Sequence, residues 1–172
     1  AEPEVMKMYA KHYKTGEIIP DVLIEKMQKA GTFDQGFVTT EYLAASILDM
    51  EYHTQKADIT SDAETLEKEA MNKINLPSTI IPRYRSTYFN HIFAGGYSAG
   101  YYSYIWSGVL DTDAFEVFKI NGLFNSDYAK SFRKNVLEKG GTEDPMELYK
   151  SFRGAEPSVE PLLRKRGLDK AK

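Results

Sequence analysis

Residues 34–55 read DQGFVTTEYLAASILDMEYHTQ, and this segment decides the fold class. Its large apolar side chains recur mainly at intervals of three to five positions. They are Phe37, Tyr42, Leu43, Ile47, Leu48 and Tyr52. Such spacing places them along one side of an α-helix. The adjacent small residues Ala44 and Ala45 would let a second helix approach closely, so the pattern predicts a long helix packed against a neighbour.

Helix signals recur on both sides of this segment, with Pro and acidic residues at starts and Gly at ends. They predict helices from Pro3 to Gly16, Pro20 to Gly31, Ser61 to Ile74, Ala99 to Ile120, Asp127 to Glu138, Pro145 to Phe152 and Ser158 to Arg166. Ser61 and Glu64 fit a capping box. Pro77 and Pro82 favour an extended connection. No strand-like alternation of any length occurs, and the predicted class is all-α.

The composition excludes several kinds of function. The 172 residues carry a net charge of −3 and no obviously basic face, so nucleic acid is not an expected partner. The absence of cysteine excludes disulfides, Cys-ligated zinc and a cysteine nucleophile. No apolar run approaches the roughly 18 residues that span a bilayer, so no membrane contact is expected. The cytoplasm is the predicted location, with the periplasm as the alternative.

The most unusual segment is residues 89–104, and the overlapping residues 91–106 read HIFAGGYSAGYYSYIW. Gly95 and Gly96 permit backbone conformations that other residues avoid, and they allow a ligand to approach the backbone closely. If a helix begins just after them, three tyrosines share one face, because spacings of four and seven residues follow the helical repeat. The three are Tyr97, Tyr101 and Tyr104. Tyr102 and Trp106 are then predicted to point into the core.

With His91, this segment offers one imidazole and up to three phenols beside a glycine turn. A tyrosine of ordinary pKa is protonated at neutral pH and donates hydrogen bonds to a carbonyl oxygen that gains negative charge. An aromatic stripe at helical spacing is also common in protein cores, and a lone histidine is often structural. Residue spacing alone therefore leaves both interpretations open.

Residues 89–106 resemble the signature of the peptidyl-dipeptidase and oligopeptidase A branch of the thimet-oligopeptidase family. That signature is Phe-x-His-Ile-Phe-x-Gly-Gly-Tyr-x-Ala-Gly-Tyr-Tyr-x-Tyr-x-Trp. The similarity continues upstream in residues 9–13 and 33–41, and downstream from Val109-Leu110 to Gly167-Leu168. It covers nearly the whole chain.

The resemblance implies a helical peptidase with a deep channel between two lobes. In that family a His-Glu-x-x-His helix and a later Glu hold a catalytic zinc ion. The histidines of this chain are His12, His53 and His91, too dispersed for such a motif. The resemblance therefore implies that residues 1–172 are a single C-terminal helical lobe of a neurolysin-like zincin, without the upstream zinc-binding segment. No metal ligand is predicted here, and zinc is expected only in the parent enzyme.

Residue roles follow from the same resemblance. Tyr104 and Tyr97 would stabilise the oxyanion of the tetrahedral intermediate, and His91 would bind the substrate backbone. The turn at Gly95 and Gly96 would contact the peptide. Weaker substrate-binding candidates are Tyr101, Arg83 and Arg85. The two arginines could bind a C-terminal carboxylate in bidentate fashion, although ion pairs within the lobe are the alternative.

The expected function is the substrate-binding and oxyanion-stabilising part of a zinc metallopeptidase that acts on short peptides. Dipeptide release from C-termini is the expected reaction, and internal cleavage of oligopeptides is the alternative that these residues leave open. The chain alone is expected to be inactive, and its expected partners are an oligopeptide and the missing N-terminal part of the enzyme. Exposed apolar patches predict self-association. The alternative is a non-catalytic helical peptide-binding or scaffold domain.

Overall fold

The computed structural model describes residues 2–56 and 58–169, and within these ranges it is helical. The helices are α1 Pro3–Tyr9, α2 Asp21–Gly31, α3 Gln35–His53, α4 Ala63–Lys73, α5 Asn90–Phe93, α6 Ser103–Asn121, α7 Ser126–Phe132, α8 Pro145–Arg153 and α9 Glu160–Arg166. A 3₁₀ turn covers Ser86–Tyr88, and a π-helical turn covers Arg133–Leu137. The described ranges contain no strand, only an isolated bridge between Lys11 and Ile18. The predicted all-α class is confirmed.

The predicted lobe of residues 1–172 is described only in part. Residues 1, 57 and 170–172 lie outside the described ranges. The boundaries of this lobe therefore stay a prediction.

The first helix is shorter than predicted, because it ends at Tyr9 and not at Gly16. Beyond it the chain folds back on itself. The amide of His12 donates to the carbonyl of Glu17 at 2.8 Å, and the amide of Ile19 donates to the carbonyl of Ala10 at 2.9 Å. These bonds satisfy backbone groups that a longer helix would have used.

The start of α4 also differs from the prediction. The proposed capping box at Ser61 and Glu64 is wrong, because Asp62 caps the helix. The Asp62 carboxylate accepts hydrogen bonds from the amides of Glu64 at 3.0 Å and Thr65 at 2.9 Å. The bonds from Thr65, first among the causes, lower the pKa of Asp62. The Asp62 carboxylate is one residue nearer the helix than Ser61 and bonds to two free amides at once. This explains why the cap lies at Asp62 and not at Ser61.

Two helices near the centre of the chain have different limits from those predicted. The helix predicted from Ala99 begins at Ser103, because Ala99 has a left-handed backbone with φ of 52°. The helix predicted for Asp127–Glu138 is α7 followed by the π-helical turn. The other predicted helices agree with the observed limits within a few residues.

Two apolar clusters form the core. The first joins α3 and α4 to the segment around α5, and its buried members are Ala44, Ala45, Leu48, Leu66, Ala70, Met71, Phe89, Ile92 and Tyr101. The second joins α6 to α8, with Ala114, Val117, Tyr149 and Phe152 buried. The small residues of α3 lie in the first cluster, as their sequence pattern predicted.

None of the helices in the described ranges has the length and apolar character needed to cross a bilayer.

A buried carboxylate organises the second cluster. Asp113 on α6 is fully buried and accepts hydrogen bonds from Tyr149 Oη at 2.6 Å and Arg153 Nε at 2.8 Å. Burial acts to raise the pKa of Asp113, but the hydrogen bonds from Arg153 and Tyr149 outweigh it and lower the pKa. Burial, and then the bond to Asp113, raise the pKa of Tyr149. The carboxylate therefore fixes α8 against α6.

Replacing Asp113 with Asn should destabilise the fold, because it leaves Arg153 without its charge partner. We expect a loss of about 3 kcal/mol in the free energy of unfolding at pH 7, measured by urea titration. Since the folded pKa of Asp113 is lowered, its stabilisation is present above the unfolded value of about 4. That stabilisation is lost as pH falls through the folded pKa, so the difference between wild type and variant should shrink in acid.

Asp111→Asn is the matched control. Asp111 lies on the same helix and pairs with Lys165 at 3.3 Å on the surface. We expect it to cost less than about 1 kcal/mol. Equal losses for the two variants would contradict the assignment of Asp113 as an organising group.

Candidate active site

Two glycines shape the turn that follows α5. A Cβ atom at Gly95 would lie 2.9 Å from both the Cα and the carbonyl oxygen of His91, a distance that real Cβ atoms do not reach. Gly96 has a φ of 81°, in the region that favours glycine. The amide of Tyr97 then donates to the carbonyl of His91 at 3.0 Å. The glycines therefore bring Tyr97 back beside His91.

A second turn, residues 98–102, leads into α6 and is held by α3. The Asp49 carboxylate accepts hydrogen bonds from the amides of Ala99 and Tyr101, each at 2.9 Å. The hydroxyl of Tyr42 donates to the carbonyl of Tyr101 at 2.8 Å. The same hydroxyl accepts from the amide of Ile105, on the first turn of α6, at 3.1 Å. Two polar side chains of one helix thus fix the entry into α6.

The three predicted catalytic side chains lie together. The rings of Tyr97 and Tyr104 stack with centroids 5.2 Å apart, and the imidazole of His91 lies 6.0 Å from the ring of Tyr97. Tyr104 is 45% exposed and Tyr97 and His91 are half-buried. The predicted shared helix face is wrong, because Tyr97 lies in a turn outside α6. The two turns, and not helical periodicity, bring these groups together.

Tyr101 differs from the other two tyrosines because it is only 3% exposed and belongs to the first core cluster. Its ring lies 5.3 Å from that of Tyr104 and 5.7 Å from the imidazole of His91. Tyr101 therefore packs beneath the exposed aromatic groups.

The predicted core positions of Tyr102 and Trp106 are wrong. Tyr102 is 52% exposed and Trp106 is 43% exposed. The turn that precedes α6 directs Tyr101 inward and leaves Tyr102 outside. Trp106 instead lines an apolar groove of about 540 Å³ between α6 and the helices that follow it. None of the three predicted catalytic residues lines this groove.

Two phenols of this site, Tyr101 and Tyr104, have raised pKa values. Hydrogen bonding with Tyr97, and then burial, raise the pKa of Tyr104. Burial, and then the neighbouring Tyr84, raise the pKa of Tyr101 to about 12, against the opposing charge of Arg83. At neutral pH Tyr101 and Tyr104 therefore remain neutral, and Tyr104 is partly exposed at the surface.

Two residues of this site were not identified from the sequence. The ring of Tyr84 lies 4.7 Å from the imidazole of His91 and stacks on Phe89 at 5.2 Å. Asp49 is fully buried, although it is an acid. A signal for Asp49 was present in the sequence, because this acid lies beside Leu48 within the apolar pattern of α3. An acid in such a position is expected to be buried and to require hydrogen-bond partners.

The two candidate arginines have different surroundings. Arg85 forms an ion pair through Nε with Glu67 of α4. Glu67 is buried, and its other oxygen accepts from the amide of Ser86 at 2.8 Å. Arg83 is exposed, with its guanidinium 5.9 Å from the ring centroid of Tyr84. The guanidinium of Arg85 is therefore engaged within the lobe, while that of Arg83 lies beside the aromatic cluster.

The described residues do not fit a zinc ion. Residues 2–56 and 58–169 contain no group of three or more His, Cys, Asp or Glu side chains that could hold a metal. The Nδ1 atom of His53 lies 2.8 Å from the carboxylate of Asp49, so this histidine is engaged within the fold.

Known proteins resemble this chain over almost its full length. The model of Peptidase family M3 matches residues 1–168. Dipeptidyl carboxypeptidase of Escherichia coli (strain K12) is 39% identical over 170 residues, covering 97% of this chain and 25% of that protein. Oligopeptidase A of the same strain is 37% identical, with the same coverage. Probable cytosolic oligopeptidase A of Arabidopsis thaliana is 39% identical, covering 96% of this chain and 24% of that protein. The chain thus spans about a quarter of the length of these curated relatives.

Replacing Gly95 with Ala should disrupt the first turn, because the added methyl group meets backbone atoms that cannot move aside. We expect a loss of about 2 kcal/mol in the free energy of unfolding, measured by urea titration. Gly141→Ala is the control, since a Cβ there has open space within 4 Å and no positive φ is involved. The control should change stability by less than about 0.5 kcal/mol, and equal effects would contradict the proposed close approach at Gly95.

Proposed function

The chain belongs to peptidase family M3, as the resemblance of residues 89–106 predicted, and we propose that it supplies the substrate-binding and oxyanion-stabilising part of a zinc metallopeptidase. The proposed substrates are short peptides, and the proposed reaction is release of dipeptides from their C-termini. The parent enzyme would be about four times longer, in line with the 25% coverage of its relatives. The chain alone would then be inactive.

The observation that carries this proposal is the convergence of two phenols and one imidazole on one surface. The rings of Tyr97 and Tyr104 lie 5.2 Å apart, and His91 adjoins Tyr97. Donors that are fixed in advance and aimed at one point stabilise a developing negative charge better than mobile water does. Tyr104, with its raised pKa, keeps its proton above neutral pH and would donate to the oxyanion together with Tyr97. His91 would bind a backbone group of the substrate.

The remaining candidates would act on the substrate in different ways. Gly95 and Gly96 would let the peptide approach the backbone of the turn, since neither carries a side chain. Tyr101 would support Tyr104 from the core, because it is buried. Arg83 would bind the C-terminal carboxylate, since its guanidinium lies beside the aromatic cluster. Arg85 is a weaker candidate, because Glu67 already neutralises it.

The other components of the proposed enzyme lie outside this chain. Zinc would be held by the remainder of the parent enzyme, because the described residues offer no suitable group of ligands. That remainder is the proposed partner of this lobe. The cytoplasm stays the predicted compartment, in agreement with the name of the Arabidopsis relative, and the periplasm stays the alternative.

One observation favours the alternative of a non-catalytic binding or scaffold domain. The apolar groove beside Trp106 is not lined by Tyr97 or Tyr104, and a helix or an extended peptide could occupy it. Self-association through such apolar surfaces stays a prediction. The catalytic proposal is preferred, because a groove of this kind does not account for the phenols that face solvent.

Replacing Tyr104 with Phe in the intact protein should lower kcat by about 100-fold, because one donor to the oxyanion is removed. KM should change less than about threefold, since the lost bond forms mainly in the transition state. The measurement is steady-state hydrolysis of a short blocked peptide, together with the zinc content of the purified variant, which should equal that of the wild type.

Tyr102→Phe is the matched control, because it removes a phenol two residues away that faces solvent. It should retain wild-type kcat. If Tyr104→Phe turns over at the wild-type rate with normal zinc content, Tyr104 has no part in the mechanism and the proposal fails.

A further inference from the structure

We propose that Asp49 is a positioning residue for this active site. Its buried carboxylate fixes the turn between Tyr97 and Tyr104, and thereby the relative position of the two phenols. The inference rests on the function proposed for these tyrosines and adds a residue from a distant helix. Asp49 acts through the turn and does not contact the substrate.

Both oxygens of the carboxylate are occupied by donors from elsewhere in the chain. Oδ1 accepts from the amide of Ala99 at 2.9 Å, and Oδ2 accepts from the amide of Tyr101 at 2.9 Å. The Nδ1 atom of His53, one helical turn along α3, lies 2.8 Å from Oδ1. Asp49 has no solvent exposure, so no water competes for these oxygens from the surface. Hydrogen bonds to a charged acceptor are stronger than those between neutral groups.

The turn needs this support because its backbone is strained. Ala99 has a φ of 52°, in the left-handed region that an L-residue with a Cβ avoids. The strain disfavours this conformation by roughly tenfold relative to an unstrained residue. In this conformation the amides of Ala99 and Tyr101, on either side of Gly100, both point toward the Asp49 carboxylate. The carboxylate therefore selects the strained turn.

The position of the turn determines the geometry of the phenols. Tyr97 precedes the turn and Tyr104 follows it, on the first helical turn of α6. Their rings stack at 5.2 Å with an interplanar angle of 20°. An oxyanion site tolerates displacements of only about 0.5 Å before its donors lose their alignment. If the turn were released from Asp49, both phenol groups would still be present, but they would no longer be aligned with each other.

The test is Asp49→Asn in the intact protein. Asn has the same shape, but its NH₂ group would face an amide donor in place of a carboxylate oxygen. We expect kcat to fall about 10- to 100-fold with KM nearly unchanged, as the loss of a hydrogen bond to a charged group predicts. Amide hydrogen exchange at Ala99 and Tyr101 should accelerate by a similar factor.

Asp113→Asn is the matched control, because Asp113 is an equally buried carboxylate that serves the other core cluster. It should lower stability but leave kcat per folded, zinc-loaded molecule unchanged. An equal fall in kcat for both variants would show a general effect of destabilisation and would overturn the inference.

A double-mutant cycle separates this inference from the proposed function. If Asp49 acts through the phenols, the variant with Asp49→Asn and Tyr104→Phe should lose clearly less than the product of the single losses. Multiplicative losses overturn the inference. If Tyr104→Phe lowers kcat while Asp49→Asn keeps the wild-type kcat, only the role of Asp49 fails. If Tyr104→Phe keeps the wild-type kcat, the proposed function itself fails.

Ala99→Gly provides a rescue, because glycine adopts a φ of 52° without strain. Added to Asp49→Asn, it should restore at least part of kcat and of the amide protection, and it should restore folding if the single variant does not fold. A double variant that folds without recovering kcat, or that still fails to fold, would contradict the proposed mechanism of positioning.

Discussion

The candidate active site depends on a buried negative charge on α3. Asp49 joins this helix, the largest element of the first core cluster, to the turn that enters α6. The hydrogen bonds to this carboxylate stabilise the left-handed conformation of Ala99, which is otherwise unfavourable. Tyr42 reinforces the same junction through its hydroxyl. The turn between Tyr97 and Tyr104 is therefore anchored to α3 by side chains of that helix.

Buried acids perform the same task at two other places in the fold. Glu67 of α4 holds the 3₁₀ turn through Ser86 and Arg85, and Asp113 of α6 holds α8 through Tyr149 and Arg153. In each case a carboxylate on one helix accepts hydrogen bonds from a segment farther along the chain. Removing a single partner from such a group leaves a buried charge without compensation, which makes these junctions specific as well as stable. Apolar packing supplies the two clusters, and the buried acids fix how the connecting segments lie on them.

Local signals explain how much of this was predictable. The limits of α2, α3 and α8 follow from Pro, Gly and apolar spacing, all of which act within a few residues. The start of α6 did not follow, because Ala99 adopts a conformation typical of glycine and its supporting carboxylate lies 50 residues away. The inward position of Tyr101 has the same cause. His91, Tyr97 and Tyr104 lie close together, but helical periodicity gave the wrong reason for their proximity. The catalytic roles that the family signature implies for them stay a prediction.

The oxyanion role proposed for Tyr97 and Tyr104 is tested most directly by a crystal structure of the intact protein with a phosphinic peptide, whose tetrahedral phosphorus group mimics the hydrolytic intermediate. We expect the hydroxyls of Tyr104 and Tyr97 to lie at hydrogen-bond distance, about 2.5–3.0 Å, from one phosphinyl oxygen, with His91 against the peptide backbone. A phosphinyl group bound away from both tyrosines, in a complex with its zinc in place, would show that these tyrosines do not stabilise the oxyanion.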